Sequence, residues 1–391
     1  MPVLGVKNFV GERLTQAKNA RGISAVALSE IAEVSQSSIS LYEKGKQNPR
    51  YTVVESLAKA LNVPVDFFFK ELGPTKPKKL FYRSMAASTK SSRELSEAKY
   101  YWLVEAVDYL LEYFDLPELD IPDFDLPSDF RLLTTFEIES IAEQLRAYWN
   151  LGSGPISNMV RTLESHGIIV WRTKFGALTQ DAFSEYREPH PFVVLSTDKE
   201  NYFRSRFDAA HELGHLILHR SIDQSSLKSA ADHKLMEDQA HRFAGAFLVP
   251  ATQFYNDLYT INIDTFRSLK PKWNVSIAMQ IMRVKHLHLI NEDEEKRLWI
   301  NLGRRKWRQV EPLDDSVPQE KPRLVNQSIK MLIDSGVKSP DQISKDLTMS
   351  PVDLDNLIEE KNFFSNANGV DKPRLKQGSD NVLLFQYSKN R

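Results

Sequence analysis

A chain of 391 residues exceeds one ordinary domain, and its 41% hydrophobic and 10% aromatic content can fill two or three cores. A formal net charge of −1 excludes a globally basic or acidic protein, so any nucleic-acid surface must be local. The absence of cysteine excludes disulfides and thiolate metal sites; no run approaches a membrane span, Met1 to Lys7 lacks a signal-peptide core, and a soluble, cytoplasmic protein is the expectation.

Five short helical patterns occupy residues 7–70. Phe9, Leu14 and Ala17 mark the first. Ser24 caps the second, Ala25 to Glu33, with Leu28, Ile31 and Ala32 expected inward. A turn at Val34-Ser35 leads to the third, Gln36 to Lys44, which buries Ile39 and Tyr42 and stops at Gly45. Val54, Leu57, Ala58 and Leu61 line the fourth, and Pro64 starts the fifth at Val65. Two short helices joined by a tight turn make a helix-turn-helix, whose second helix can enter a major groove.

The order Ser24, Leu28-Ser29-Glu30, Ala32, Val34-Ser35, Ile39-Ser40, Tyr42-Glu43-Lys44-Gly45-Lys46 and Asn48-Pro49 resembles the Xre/Cro-type repressor family. The resemblance implies that Gln36, Ser37, Ser38 and Ser40 face bases while Lys44, Lys46 and Arg50 meet phosphates; the alternative is a solvated helix face. Two departures predict a lost contact and a reshaped turn: Ala25 where the family commonly has Gln, and Glu33 in place of the turn Gly. Residues 1–83 hold 13 Lys and Arg against 7 Asp and Glu, a local excess that favours double-stranded operator DNA. Xre-type domains usually read two-fold operators, so a homodimer is expected.

Gly73 to Lys79 reads as a basic, proline-bearing linker. Ser92 to Phe114 follows as an amphipathic helix with an aromatic stripe, suited to a core or a dimer seam, and the acidic residues 115–129 read as a solvated connector. Thr135 to Trp149 and Ile156 to His166 read as helices, Ile168 to Arg172 and Phe192 to Leu195 as strands.

Phe207 to Leu218 is an apolar helical run containing His211-Glu212-Leu213-Gly214-His215. Four-residue spacing puts both imidazoles on one face, where they can bind one metal ion, with Glu212 about 100° further round to take a proton from water. The other reading is two satisfied core histidines. A catalytic zinc site needs a third ligand and an open position. Position 221 is Ser221 and His219 sits two residues too early, so His219 reads as a half-exposed packing residue. Glu237 is the candidate, on a helix marked by Ala240, Phe243, Ala244, Phe247 and Leu248 that stops at Pro250; the other reading is an ordinary solvated carboxylate.

Ala210 to His215, Arg206-Phe207, Glu237 with Ala240, Phe243 and Ala244, and upstream Gly154-Pro155-Ile156, Leu163-Glu164, Gly167-Ile168 and Asp181 to Ser184 resemble the ImmA/IrrE metallopeptidases over roughly residues 130–255. That resemblance implies His211, His215 and Glu237 as ligands of Zn2+ and Glu212 as general base. It also implies cleavage of a repressor-type protein. The family usually has Asn or Asp where this chain has His241, which is expected to hydrogen-bond a ligating histidine from behind.

Beyond Pro250 the chain reads as helical to about residue 300, with a basic cluster at Arg304 to Arg308. A compact helical set over 322–364 contains another helix-turn-helix-like pattern, and Asp371 to Gln377 reads as loosely structured. The fold class is therefore mainly α with a small α+β zinc-peptidase core, divided as 1–72 (five-helix DNA-binding domain), 73–129 (linker, helix and connector), 130–300 (peptidase-like) and 301–391 (helical). Two functions fit. One is a DNA-binding regulator whose zinc peptidase cuts a repressor in cis, in trans or on a partner. The other is a non-proteolytic repressor or antitoxin-type regulator that uses the peptidase fold as sensor or dock for a partner such as a toxin.

Overall fold

The computed structural model describes residues 5–73, 89–176, 181–199, 201–222 and 229–366. Pro74 to Lys79 of the linker reading and Asp371 to Gln377 lie outside them. The protein is mainly α-helical, with one three-stranded sheet among the described residues.

Four helices, α1 (Gly11–Ala20), α2 (Ala25–Ala32), α3 (Gln36–Glu43) and α4 (Tyr51–Leu61), and a 3-10 turn at Val65–Phe69 form the N-terminal module. The Ser24 and Ser35 hydroxyls accept from the Ala27 and Ser38 backbone N–H groups, fixing where α2 and α3 begin. Glu33 ends α2 in the left-handed region at φ 54°, so the turn keeps the geometry a glycine would give it and is not reshaped. Ile31 is 58% exposed rather than inward, because Leu28 and Ala32 form the buried i, i+4 stripe and Ile31 lies to its side.

Helix α5 (Lys90–Leu110) begins at Thr89, whose hydroxyl accepts from Ser92 N–H. It is neither a linker element nor a free seam. Tyr100, Trp102, Leu103, Val104, Ala106, Val107 and Leu110 are buried within the chain, in one core with the N-terminal module, one face of the sheet and the C-terminal helices. Arg13, fully buried on α1, pairs with Glu105 of α5 at 2.5 Å and donates to the Lys70 and Glu71 carbonyls. The acidic segment after α5 is also more than a solvated connector. Leu119, Ile121, Phe124 and Leu126 pack on the second core, and Asp120 exchanges backbone bonds with His166 and the Trp149 indole.

Helices α6 (Thr135–Tyr148) and α7 (Met159–Ser165) precede strands β1 (Ile169–Thr173), β2 (Ala182–Glu185) and β3 (Phe192–Ser196). Strand order is β1-β3-β2, with β1 parallel and β2 antiparallel to β3. Side chains alternate between two interiors. Ile169, Trp171, Phe183, Phe192 and Val194 face the α5 core, whereas Val170, Ala182, Val193 and Leu195 face the second core. The long helices α8 (Tyr202–Leu218) and α9 (Ala230–Leu248) cover that second face, followed by α10 (Ala251–Asp257), α11 (Ile263–Trp273), α12 (Ile277–His286) and α13 (Glu292–Arg304).

Within the basic cluster at the end of α13, Arg305 forms a bidentate pair with Asp264, and Trp307 packs on the second core. A strap then re-enters the fold. Buried Lys270 holds Glu311 at 2.9 Å and Asp314 at 2.5 Å, and buried Arg206 pairs with Glu320. Helices α14 (Leu324–Asp334), α15 (Pro340–Leu347) and α16 (Pro351–Leu357) return to the α5 core.

Candidate metal centre

Asn201 caps α8 through the Arg204 N–H, so the helix starts before the apolar run and carries the two histidines on its buried side. Helix α9 crosses it closely because Gly214 has no side chain. A Cβ there would lie 3.1 Å from Phe243 Cδ1 and 3.3 Å from the Ala240 Cα and carbonyl oxygen. That close approach brings Glu237 to the histidines. His211, His215 and Glu237 each offer a ligand atom within 4.8 Å of the others.

The spacing fits a metal ion. His211 Nε2 lies 3.0 Å from His215 Nε2 and 3.3 Å from Glu237 Oε2, and His215 Nε2 lies 3.6 Å from Glu237 Oε1. A tetrahedral ion with ligands at about 2.0–2.1 Å holds its donors roughly 3.3 Å apart. Burial would raise the Glu237 carboxyl, but the hydrogen bond from the His211 imidazole holds it far below its ordinary value.

Behind the cluster lies a relay that fixes the tautomer of His215. The Phe130 carbonyl can only accept, so the Gln239 group 2.8 Å away is its amide nitrogen, and Gln239 Oε1 is left to accept. His219 Nε2, 2.9 Å from that oxygen, therefore carries a proton. Burial pushes His219 down to about 3, so the ring is neutral and its Nδ1 accepts from His215 Nδ1–H at 2.9 Å. His215 Nε2 is then an unprotonated lone pair facing Glu237. His219 is fully buried and bonded at both nitrogens, which overturns its reading as a half-exposed packing residue.

His241 does not play the expected part. Its Nδ1 donates to the Glu237 carbonyl oxygen at 2.7 Å, and its ring sits edge-on to His211 with centroids 4.4 Å apart. His211 Nδ1 is buried with no hydrogen-bond partner among the described residues. The physical reason is helical position: four residues after Glu237, the imidazole closes onto its own helix's carbonyl.

Glu212 is buried at 4% exposure and accepts a 2.6 Å hydrogen bond from the Ser184 hydroxyl. Strand alternation explains that partner, since Ser184 shares the face of Ala182. Burial pushes Glu212 up to about 7, against the opposing pull of His211 and Ser184. Asp208, one turn earlier, is held well above the ordinary range by burial and by Asp181 and Glu212. Neither Ser184 nor Asp208 was singled out from the sequence as a site residue. A recess of about 270 Å³ beside His241 is lined by Phe207, Asp208, Met279, Met282 and Trp299.

In the N-terminal module, Gln36, Ser37, Lys44, Lys46 and Arg50 are exposed and Ser38 and Ser40 half-buried, so no described residue covers the face expected to meet DNA. No helix is long and apolar enough to cross a membrane among the described residues.

Residues 163–285 match the family described as the IrrE N-terminal-like domain, and residues 10–66 match a helix-turn-helix domain. No curated protein matches the chain. It thus carries a DNA-binding type of helix-turn-helix domain together with a domain of the IrrE-like peptidase family.

Proposed function

We propose that this protein is an Xre-type transcriptional regulator carrying a zinc-dependent endopeptidase that cuts a repressor-type protein. The observation carrying the proposal is the convergence of two imidazole Nε2 atoms and one carboxylate beside a buried glutamate. His211, His215 and Glu237 would hold the ion, and a set of two imidazoles and one carboxylate suits zinc with one position open. When bound, zinc would polarise a peptide carbonyl and lower the pKa of water.

The chain's own residues supply the proton chemistry. Ser184 fixes Glu212 Oε2, leaving the other carboxylate oxygen to accept a proton from water and return it to the departing amine. A group near neutrality suits both transfers. His219 and Gln239 hold the His215 ring in its ligating tautomer. The recess beside His241 has the apolar walls to receive a large substrate side chain.

On the DNA side, Gln36, Ser37, Ser38 and Ser40 would read bases of an operator and Lys44, Lys46 and Arg50 would hold phosphates, in a homodimer. The chain's own helix-turn-helix packs into the α5 core, whereas the metal-site helices pack on the opposite face of the sheet. That separation favours cleavage in trans or of a partner over cleavage of the same chain's helices.

The test compares wild type with Glu212→Gln, both assayed for zinc, on purified Xre-type repressors with products mapped by mass spectrometry. Products from wild type alone, at equal zinc content, are expected. Identical processing by both variants would refute the hydrolytic role of Glu212. One observation favours the second reading, a non-proteolytic sensor: the DNA-binding module shares a core with the sheet instead of hanging free. That reading predicts an operator footprint from a zinc-loaded protein that cuts no repressor.

A further inference from the structure

Among the described residues the chain holds two helix-turn-helix units of the same build. In each, a serine caps the first helix: Ser24 accepts from the Ala27 N–H, and Ser339 from the Gln342 N–H. Each first helix ends in the left-handed region, Glu33 at φ 54° and ψ 39°, Thr348 at φ 54° and ψ 36°. The turns close with matching backbone bonds, Val34 N–H to the Ser29 carbonyl and Met349 N–H to the Ser344 carbonyl, both at 3.1 Å. A second serine, Ser35 or Ser350, then caps the second helix, α3 or α16. Leu28, Ala32, Ile39 and Tyr42 are buried in the first unit, and Ile343, Leu347, Leu354 and Leu357 at the same spacing in the other.

Of the two second helices, α3 is the one open to a groove. Where the first unit has Ser38, Ser40 and Lys44, the second has Asp353, Asp355 and Glu359. Asp353 is buried and held by Arg21 at 2.6 and 2.7 Å, and buried Asp355 accepts the Phe364 N–H at 2.6 Å. Acids engaged inside the chain neither reach base edges nor suit a phosphate backbone.

The outward side of α3 is not centred on all of its serines. Ile39 and Tyr42 point inward, at 0% and 6% exposure. At about 100° per residue, Ser37 and Lys44 lie within about 10° of the opposite direction, Leu41 about 50° from it and Ser38 about 110°. The Ser37 and Ser38 hydroxyls are also engaged by the Ser35 hydroxyl, at 3.0 and 2.8 Å. Leu41 is 39% exposed and belongs neither to the buried core nor to the side chains packed against it. A leucine thus stands on the reading face beside exposed Ser37 and Lys44. The major groove offers such a side chain one apolar partner, the thymine methyl.

We propose that Leu41 is a specificity-determining residue of the first unit and selects thymine, by packing against its 5-methyl group in the major groove. This role rests on α3 being the operator-reading helix and is independent of the metal centre.

In the test, full-length protein first selects sites from a randomised duplex pool. Each thymine of the selected site is then replaced by uracil, which removes the methyl group alone. Affinities are compared for wild type, Leu41→Ser and the double variant Val352→Ala/Asn356→Ala, which changes the exposed α16 positions matching Ser37 and Leu41. At least one thymine is expected whose replacement weakens wild-type binding about fourfold, the effect of one buried methyl group. Leu41→Ser should bind the thymine and uracil duplexes alike, and the α16 variant should behave as wild type. Leu41 lies outside the core, so Leu41→Ser should melt like wild type. Failure to retain any duplex would sink the operator-binding reading and the role of Leu41 with it. A selected site with no such thymine, an unchanged uracil penalty in Leu41→Ser, or an altered preference in the α16 variant would overturn the role of Leu41 while leaving operator binding in place.

Discussion

Gln239→Met should weaken metal binding although residue 239 touches no ligand atom of the metal. The side chain keeps its length, but the acceptor for His219 Nε2–H and the donor for the Phe130 carbonyl both disappear. Two buried groups left without partners cost about 2–4 kcal/mol of metal-free stability. Once His219 is released, nothing holds its Nδ1 as the acceptor for His215 Nδ1–H, so His215 no longer has a fixed ligating tautomer. Loss of such supporting bonds typically weakens metal affinity about 10–100-fold, or about 1.4–2.7 kcal/mol. Competition for zinc against a chromophoric chelator measures the affinity, and a urea melt in chelator reports the metal-free fold separately. Gln239→Glu is the control: as a neutral acid it can accept from His219 and donate to Phe130, so it should recover most of the affinity. A folded Gln239→Met variant binding zinc within about twofold of wild type would show that the relay does not position His215.

Gly214→Ala should destabilise by about 1–3 kcal/mol and weaken zinc binding, since the added methyl meets Phe243 and Ala240 at 3.1–3.3 Å and forces α8 and α9 apart; unchanged stability in a chemical melt would contradict the close-approach argument. Glu33→Gly should stabilise by about 0.5–1 kcal/mol, because relief of the left-handed strain outweighs the added freedom of the unfolded chain; a destabilised variant would refute it. Glu359→Gln tests a pH dependence. Burial raises the Glu359 carboxyl to about 7 despite Arg172, so the folded state holds its proton more tightly than the unfolded state does. Stability from that group is full below about 4.5 and is lost as pH rises through 7. The uncharged variant should therefore gain about 1–3 kcal/mol at pH 8 and nothing at pH 4, and an equal gain at both would remove the burial argument.

The side-chain placement that depends on short-range spacing was legible in the sequence. His211 and His215 share a helix face because they lie four residues apart, and Glu237 could be proposed because its helix announces itself through Ala240, Phe243 and Phe247. What escaped depends on partners remote in the chain. His219 looks like a surface residue at the end of a helix until Gln239 arrives from α9 and Phe130 from a 3-10 turn. Strand β2 escaped because both its faces are buried, so Ala182 to Glu185 shows no apolar-polar alternation; its one acid, Glu185, is accommodated by the Tyr100 hydroxyl of α5. The aromatic stripe of α5 could not reveal whether it would meet another chain or its own, since both bury the same side chains.

The sheet gives that ambiguity a functional meaning. A single layer of backbone separates Phe183, whose ring packs edge-on to Tyr100 of α5 at 5.6 Å, from Ser184, whose hydroxyl holds Glu212. The two residues are consecutive, so they share backbone atoms while facing opposite cores. Helix α5 in turn is tied to the helix-turn-helix through Arg13 and Glu105, with Arg13 wholly buried. Any shift of the DNA-binding module that displaces α5 must either break a buried ion pair, leaving an uncompensated charge at a cost of about 3–5 kcal/mol, or carry α5 along and press on β2. The second course is less costly in a close-packed interior, because displacements there are transmitted rather than absorbed. On the proposed function, operator binding and the orientation of Glu212 would be coupled through this one strand, and the coupling would act equally in both directions on the binding equilibria of DNA and metal.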